Sequence, residues 1–469
     1  MLIIIKGLRW LADRCRDTLN QKEMRKMKKL ISILSMMLLI QGLPVFLNAS
    51  AIAANVGTGQ KSIPIPSTTA QKLYFTAKND LLQLRMLTKN GRARKSAGSG
   101  FLIGTSNLVV TNYHVVSEIA LEPDIYVGEF VDTHEERGPV ELLAVDVLHD
   151  LAIVRISRKG NGSFNIPEKS TGLTQGQYLY SLGNPLDLGF TISEGTYNGI
   201  SKLEFYERLM FTGALNPGMS GGPCLTVDGQ LAGVNVSSLS DGELASFLVP
   251  VRYVKELLKK VDPQQKPPQD FKAIVGQQLL AHQVVMVNRL FDKPLTIKTL
   301  GPYQAPIREL DQMRCSGQSN NKQNSLLTVY QMKCAMGSSL YVSDKLRTGS
   351  VLIAHQFTHS AELGALRFAE YISSSFKAEK FGSHKDRNRT RPVCTEQFLD
   401  NKKLSMRAVI CVRAYRNFEE LYDFAVLTST TDERLMNLES RLDIIGVSYE
   451  NGLRVSKIFL ESIGREKKP

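Results

Sequence analysis

The sequence has little of what marks the special classes of protein. Its 469 residues include only 35 glycines, 18 prolines and one tryptophan, and no internal repeat is present. This composition excludes collagen-like, coiled-coil and disordered chains, and 43% hydrophobic with 22% charged residues is typical of a folded globular protein. The length predicts two or three domains.

Long apolar runs are absent after residue 47, so we expect no stable membrane span once the N-terminus is removed. The single long run, at 30–47, follows a basic stretch and precedes small residues. This pattern predicts a signal peptide, residues 1–53, cleaved after Ala53. An uncleaved membrane anchor is the alternative, but Gln41 and Pro44 interrupt the run.

The excess of positive charge lies at the two ends of the chain and not in its middle. The net charge of +13 divides into +6 for residues 1–53, −2 for 54–270 and +9 for 271–469. Without the signal peptide the chain would carry +7. No zinc-finger or RNA-binding signature accompanies the basic C-terminal part, so we expect no nucleic-acid partner.

Cysteines are few, and four of the six lie in the C-terminal part. Their spacing suggests the disulfides Cys315–Cys334 and Cys394–Cys411, although four cysteines allow three pairings. Loops of this size would contribute ~3 kcal/mol each. A four-cysteine zinc site is the alternative, but neither pair has the close spacing of a zinc ribbon. We expect Cys224 to be a buried free thiol.

The first half of the chain has the sequence pattern of an all-β domain. After a mobile lead-in at 54–70, short apolar or β-branched runs separated by Gly, Asn, Asp and Pro recur between 81 and 248. Apolar residues at helical spacing follow at 251–261. We therefore assign 71–261 to one β-rich domain.

The second half is predicted to be a separate α+β domain. A polar, Pro-rich segment at 262–270 is interpreted as a linker to residues 271–469. In this basic domain we expect helices at 361–377 and 433–463, around a hairpin that turns near Asn417.

Three segments of the β-rich domain carry residues suited to nucleophilic catalysis: TNYHVV, VLHDLAIV and NPGMSGGP. A serine hydroxyl such as that of Ser220 needs a base, here His114, and a carboxylate, here Asp150, to orient the imidazole. Gly218 and Gly221 allow a tight loop in which the N–H groups of Gly218 and Ser220 form an oxyanion hole.

These segments resemble the trypsin-like (chymotrypsin-fold) serine proteases, most closely the bacterial HtrA/Deg group. GSGFLI with LVVTNYHVV is similar to that group's histidine motif, HDLAIVRI to its aspartate motif and LNPGMSGGP to its serine motif. The resemblance covers 81–261 and implies an all-β pair of six-stranded barrels, a His114–Asp150–Ser220 triad and no cofactor or metal. Met219 replaces the group's usual Asn, which would alter a side chain beside the cleft, and nothing after Asp270 resembles a PDZ domain.

The resemblance also implies a substrate pocket. Ala214, six residues before the nucleophile, would lie at its base, and Asn235 is assigned to the same pocket. Because Ala214 has no charge to hold Lys or Arg, we expect a small or apolar residue before the cut.

Two other patterns have weaker support. Residues 218–222 satisfy the GxSxG pattern of α/β-hydrolases, but the flanking prolines and the strand-like residues that follow do not suit that strand–helix turn. His355 and His359 lie four apart, as metal ligands on one helix face can, but Gln356 stands where the HExxH motif has Glu. A surface or partly buried helix is the preferred interpretation there.

Together these features predict an exported bacterial serine endopeptidase, periplasmic or secreted, that acts on proteins or peptides in cell-envelope processing or quality control. The sequence sets no oligomeric state. The alternative is a catalytically silent protease fold whose C-terminal domain binds a cell-envelope partner.

Overall fold

The structure is a computed structural model that describes residues 67–168, 172–185, 188–238, 246–320, 326–376, 386–401 and 404–466. The predicted signal peptide and its cleavage site lie outside these residues, as does most of the lead-in. The end of the lead-in belongs to helix α1, Thr68–Ala77, because the Ser67 side chain accepts the Ala70 N–H at 3.0 Å and caps its first turn.

The first β-barrel holds six antiparallel strands and is closed in the order β1-β2-β3-β6-β5-β4. Its strands are β1 Leu81–Thr88, β2 Arg94–Leu102, β3 Leu108–Thr111, β4 Tyr126–Asp132, β5 Arg137–Asp146 and β6 Leu151–Arg155. Helix α2, Tyr113–Leu121, follows β3 after the single residue Asn112. All four residues of β3 are buried, which suits a strand with β-branched side chains inside a closed barrel.

The second barrel is also closed and six-stranded, in the order β10-β11-β12-β9-β8-β7. Its strands are β7 Tyr178–Gly183, β8 Thr191–Ile200, β9 Leu209–Phe211, β10 Pro223–Thr226, β11 Leu231–Ser238 and β12 Ser246–Pro250. Helix α3, Val251–Leu258, ends this part of the chain. The predicted chymotrypsin-like pair of barrels is therefore confirmed.

The C-terminal part is rich in strands and has few helices, in agreement with the predicted α+β class. Its main sheet has seven strands in the order β15-β16-β19-β23-β22-β21-β20. They are β15 Met313–Ser319, β16 Thr328–Met336, β19 Ser350–His359, β20 Val393–Asn401, β21 Leu404–Ala414, β22 Tyr422–Thr430 and β23 Met436–Val447. Strands β21 and β22 form the expected hairpin around Asn417.

Three helices and two small sheets complete this part. The helices are α4 Phe271–Phe291, α5 Ala365–Ser375 and α6 Tyr449–Ser462. A hairpin pairs β17 Leu340–Ser343 with β18 Leu346–Thr348, and a small sheet joins β13 Thr296–Leu300, β14 Tyr303–Ile307 and β24 Gly464–Arg465. None of the helices among the described residues is long and apolar enough to cross a membrane.

Both predicted disulfides are present in the structure, as cross-strand pairs. Cys315 lies directly opposite Cys334 on β15 and β16, and Cys394 lies opposite Cys411 on β20 and β21. Because β15 and β20 are the two outer strands of the main sheet, each disulfide joins an edge strand to its inner neighbour. Cys224 is buried as a free thiol, as expected.

Two segments predicted to be helical contain strands, one in its first half and the other throughout. The segment 433–463 contains strand β23 before helix α6, because Leu438, Leu442 and Ile444 alternate with polar residues and face the core at a period of two. The HQFTH segment lies on β19. There His355 is buried, and its two ring nitrogens are hydrogen-bonded to the Ser440 hydroxyl at 2.8 Å and the Pro306 carbonyl at 2.7 Å.

One apolar cluster crosses from the first barrel into the C-terminal part. Helix α2 packs on both β17 and α4. From the barrel side the cluster includes Tyr113 and Val116 of α2, and from the C-terminal side it includes Leu340, Val342 and Phe418, all of them buried. The barrel and the C-terminal part therefore share a core at this point.

Candidate active site

His114 and Asp150 meet at one end of the first barrel. His114 is the second residue of α2, and Asp150 is the last residue before β6. Asp150 has a φ of 59°, a left-handed conformation that is uncommon for a residue other than glycine. The Asn112 side-chain amide donates to the Asp150 carbonyl at 2.8 Å and holds the two segments together.

The Asp150 carboxylate holds the imidazole of His114 in one orientation. One oxygen accepts the backbone N–H of His114 at 2.9 Å, and the other lies 2.7 Å from Nδ1 of the same residue. A carboxylate can only accept here, so the ring proton lies on Nδ1 and Nε2 has a free lone pair. This is the tautomer that a general base requires.

The pKa of His114 is raised from its ordinary value. Burial of the ring lowers it, but the negative charge of Asp150 and the hydrogen bond that the ring donates to that carboxylate raise it by more. A higher pKa makes the neutral imidazole a stronger base for a serine proton.

Ser220 lies in the turn between β9 and β10, and its hydroxyl is hydrogen-bonded away from His114. The Oγ donates to the carbonyl of Val236 on β11 at 2.7 Å. Among the described residues no hydrogen bond joins Ser220 to His114. In this arrangement the Ser220 hydroxyl is bonded to a strand of the second barrel and not to the imidazole.

The turn around Ser220 is held from the first barrel by Ser99. The Ser99 N–H donates to the Ser220 carbonyl at 2.7 Å, and the Ser99 hydroxyl donates to the Gly218 carbonyl at 2.7 Å. Gly221 has a φ of 86°, and a Cβ there would lie 2.2 Å from the Ser99 carbonyl oxygen. Sequence reasoning included Ser99 in a motif but did not predict this bracing role, which depends on contacts far apart in the chain.

The backbone at Gly218 and Ser220 leaves two donors available. Within the described part of the chain, neither N–H of these two residues donates to another backbone group. Gly218 has a φ of 97°, which glycine adopts without strain. Two such donors beside a nucleophile are suited to stabilise a developing oxyanion.

Ala214 and Asn235, the two predicted pocket residues, lie in different environments. Ala214 is exposed on the loop before the nucleophile. Asn235 is fully buried, and its amide group donates to the carbonyls of Leu182 at 2.9 Å and Met219 at 3.2 Å. Asn235 therefore braces the loop that carries Ser220, and it is not among the residues that line the cavity beside His114.

Met219 also differs from expectation. Its side chain is buried in the apolar cluster of the second barrel, with Phe211 and Leu215, and does not lie beside the cleft. An apolar side chain is favoured at this position because it packs into that core.

A cavity of about 370 Å³ adjoins His114 and Asp150. The second barrel contributes Val236 and Phe247 to its lining, and the C-terminal part contributes Leu340 and Tyr341 of the β17–β18 hairpin. The ring centres of Tyr341 and His114 are 5.8 Å apart in an edge-to-face arrangement. The contribution of the hairpin to this cavity could not be predicted from the sequence, because nothing in the hairpin resembles a protease motif.

The chain was compared with known proteins. Residues 98–234 match the family model of the trypsin-like peptidase domain. The chain is 32% identical over 154 residues to a probable periplasmic serine endoprotease DegP-like of Chlamydia pneumoniae. This alignment covers 30% of this chain and 29% of that protein. It is 33% identical over 180 residues to the mitochondrial serine protease HTRA2 of Drosophila pseudoobscura pseudoobscura. That alignment covers 36% of this chain and 40% of the relative.

A solved structure, the serine endoprotease from Yersinia pestis, aligns at a TM-score of 0.35 and 22% identity, over 42% of this chain and 67% of that one. The chain spans less than half the length of the curated relatives it matches. The match to the family model falls on the part of the chain that carries the barrels. The resemblance to trypsin-like peptidases and to the HtrA/Deg group is therefore confirmed for this part.

Proposed function

We propose that this protein is a serine endopeptidase that cleaves peptide bonds through an acyl-enzyme. The observation that carries the proposal is the hydrogen-bonded pair of His114 and Asp150, which leaves Nε2 unprotonated beside the cleft. Ser220, on a loop with two available N–H groups, is the proposed nucleophile.

The proposed reaction conserves protons at each step. Ser220 Oγ attacks the scissile carbonyl carbon, its proton passes to Nε2 of His114, and the N–H groups of Gly218 and Ser220 stabilise the oxyanion. The same proton then passes to the leaving amine, and an ester to Ser220 remains. Water attacks this ester with His114 as the base, releases the acid and restores the serine.

The test is covalent labelling of the full chain with a fluorophosphonate, followed by digestion of casein. We expect intact mass to rise by one adduct and casein to be cleaved, and both effects to vanish in Ser220→Ala. An unlabelled, folded wild-type protein would contradict the proposal.

A catalytically silent adaptor is the second candidate, and one observation favours it. Ser220 Oγ donates to the Val236 carbonyl and not to His114. In an active enzyme this bond is a resting state that substrate displaces, since catalytic hydrogen bonds often form only in the complex. In an adaptor it would persist, and no labelling would occur.

We further propose that the residue before the cut is small or apolar. Ala214 is exposed on the loop that precedes Ser220 and has no charge to attract Lys or Arg. Digestion of a peptide library would check this preference. Preferred cleavage after Lys or Arg by the wild-type enzyme would contradict it.

An exported location is also proposed, either periplasmic or secreted. Two disulfides indicate an oxidising compartment, and relatives include probable periplasmic enzymes as well as mitochondrial ones. Protein processing or quality control in the cell envelope would suit such a location. Mass spectrometry of the mature N-terminus, expected after Ala53, would test it.

A further inference from the structure

The β17–β18 hairpin of the C-terminal part is attached to the helix that carries His114. The hydroxyl of Tyr113, the residue before His114, donates to the Val342 carbonyl of the hairpin at 2.9 Å, and both residues are buried. At the rim, Lys95 of β2 and Asp344 of the hairpin turn form an ion pair. Two polar contacts and a shared apolar core therefore join the hairpin to the first barrel.

Tyr341 is held in one position by its neighbours in the hairpin. Its hydroxyl donates to the Asp344 carboxylate at 2.8 Å, and the guanidinium of Arg347 lies 5.6 Å from its ring centre. Its ring lies edge to face with the rings of both His114 and Tyr113, with centres 5.8 Å and 6.4 Å away. The ring thus borders the cavity beside the catalytic histidine.

The hairpin is suited to be a fixed wall and not a lid. Leu340, Val342 and Leu346 point into the same core as α2, α4 and Phe418, and all three are buried. Opening the hairpin would expose these side chains and leave the Val342 carbonyl without its donor. Such a cost favours a wall that stays in place during turnover.

We propose that Tyr341 is a specificity-determining residue that limits the size of the substrate side chain accepted beside His114. The proposal rests on the proposed endopeptidase function. Tyr341, Val236 and Phe247 all line the cavity, which has charged residues in its lining as well, and its volume of about 370 Å³ has room for a side chain of a bound peptide. Val236 also accepts the nucleophile hydroxyl, so this side chain would lie close to the scissile bond.

The test compares full-length Tyr341→Ala, Tyr341→Leu and Tyr341→Phe with wild type on a peptide library varied at four positions on each side of the cut. For Tyr341→Ala we expect kcat/KM to rise about tenfold or more for large aromatic residues at a single position next to the cut. We expect a smaller rise for Tyr341→Leu and less than a twofold change for Tyr341→Phe. The matched control is Tyr178→Ala, an exposed tyrosine of the second barrel that does not line the cavity.

Fluorophosphonate labelling separates specificity from structural damage, because this small probe does not need the cavity. We expect the labelling rate of all variants to stay within about twofold of wild type. An unchanged library profile in a labelled Tyr341→Ala, or an equal loss for every peptide together with slower labelling, would overturn the proposal. If Tyr341→Ala fails to fold, Tyr341→Leu decides in the same way. A wild-type protein that is neither labelled nor active would instead refute the endopeptidase function, and this proposal with it.

Discussion

The Asp150 carboxylate orients His114 and is the main cause of its raised pKa. Asp150 accepts from the backbone and from the ring of the same histidine, so the orientation of the imidazole follows from the helix start that carries it. The left-handed backbone at Asp150 is a local cost that its bonds to His114 and Asn112 offset. Strain of this kind is common at functional sites.

The raised pKa of His114 predicts a pH dependence. Proton transfer needs neutral His114, so kcat/KM should rise with pH through the pKa of the free enzyme, at a midpoint above the ordinary histidine value of 6.5. Asp150→Asn removes the negative charge that raises this pKa. We expect its midpoint to move to lower pH, and its kcat to fall by about 10⁴-fold because the tautomer is no longer fixed. A pH profile of peptide hydrolysis measures both, and an unmoved midpoint would argue against Asp150 as the partner.

Gly221 should tolerate no side chain, because a Cβ would collide with a neighbouring carbonyl. A second glycine with nearly the same backbone angle but open space around it separates this collision from backbone strain. Gly221→Ala combines a φ of 86° with a Cβ only 2.2 Å from the Ser99 carbonyl, whereas Gly176→Ala combines a φ of 89° with open space. We expect Gly176→Ala to cost about 1 kcal/mol of unfolding free energy from backbone strain alone. Gly221→Ala should cost more and slow fluorophosphonate labelling at least tenfold. Denaturant unfolding and labelling rates check this, and equal effects of the two changes would contradict it.

Among the elements, local sequence predicted the barrels better than the C-terminal strands. Short β-branched runs such as LVVT are typical of strands and too short for a helix. The motifs beside such runs predicted the positions of His114, Asp150 and Ser220 at strand ends and in a loop. In β23 the spacing of Leu438 and Leu442 suits a helix as well as a strand, and only pairing with β19 and β22 decides for the strand. The hairpin wall was not predictable at all, because its role arises from packing between distant segments.

The outer strand β20 should depend on its disulfide. Seven of its nine side chains are exposed, so little apolar burial holds it to β21. We expect Cys394→Ser with Cys411→Ser to cost up to about 3 kcal/mol and to speed amide exchange of Val393–Asn401. The matched control, Cys315→Ser with Cys334→Ser on the other edge, should speed exchange in β15 and leave β20 unchanged. Hydrogen-exchange mass spectrometry distinguishes the two edges, and exchange in β20 that does not respond to its own disulfide would show that pairing alone holds it.

At the scale of the whole molecule, helix α2, which carries His114, lies in a core that two parts of the chain supply. Tyr113 and Val116 pack with Leu340, Val342 and Phe418, although more than two hundred residues separate them in sequence. The sequence predicted a separate C-terminal domain after a linker at 262–270, and the shared core argues that the barrels do not fold independently of it.

A chain that ends at residue 261 should therefore fail as a protease even though it retains both barrels and all three proposed catalytic residues. Without α4 and the β17–β18 hairpin, the outer face of α2 would be exposed, and each large apolar side chain left in water costs about 1.5–3 kcal/mol. We expect this chain to aggregate, or to label with fluorophosphonate at least tenfold more slowly than the full chain.

The control for this truncation is the full chain with a specific protease site inserted at 266–270, cut after folding. Most of this segment is exposed, so it is accessible to cleavage, and the shared core should hold the two pieces together after the cut. We expect the nicked protein to co-elute as one species in gel filtration and to label at the rate of the intact chain. A soluble truncated chain that labels at full rate would mean that the barrels alone position His114. In that case the C-terminal part would influence which peptides enter the cleft and not whether the catalytic residues are aligned.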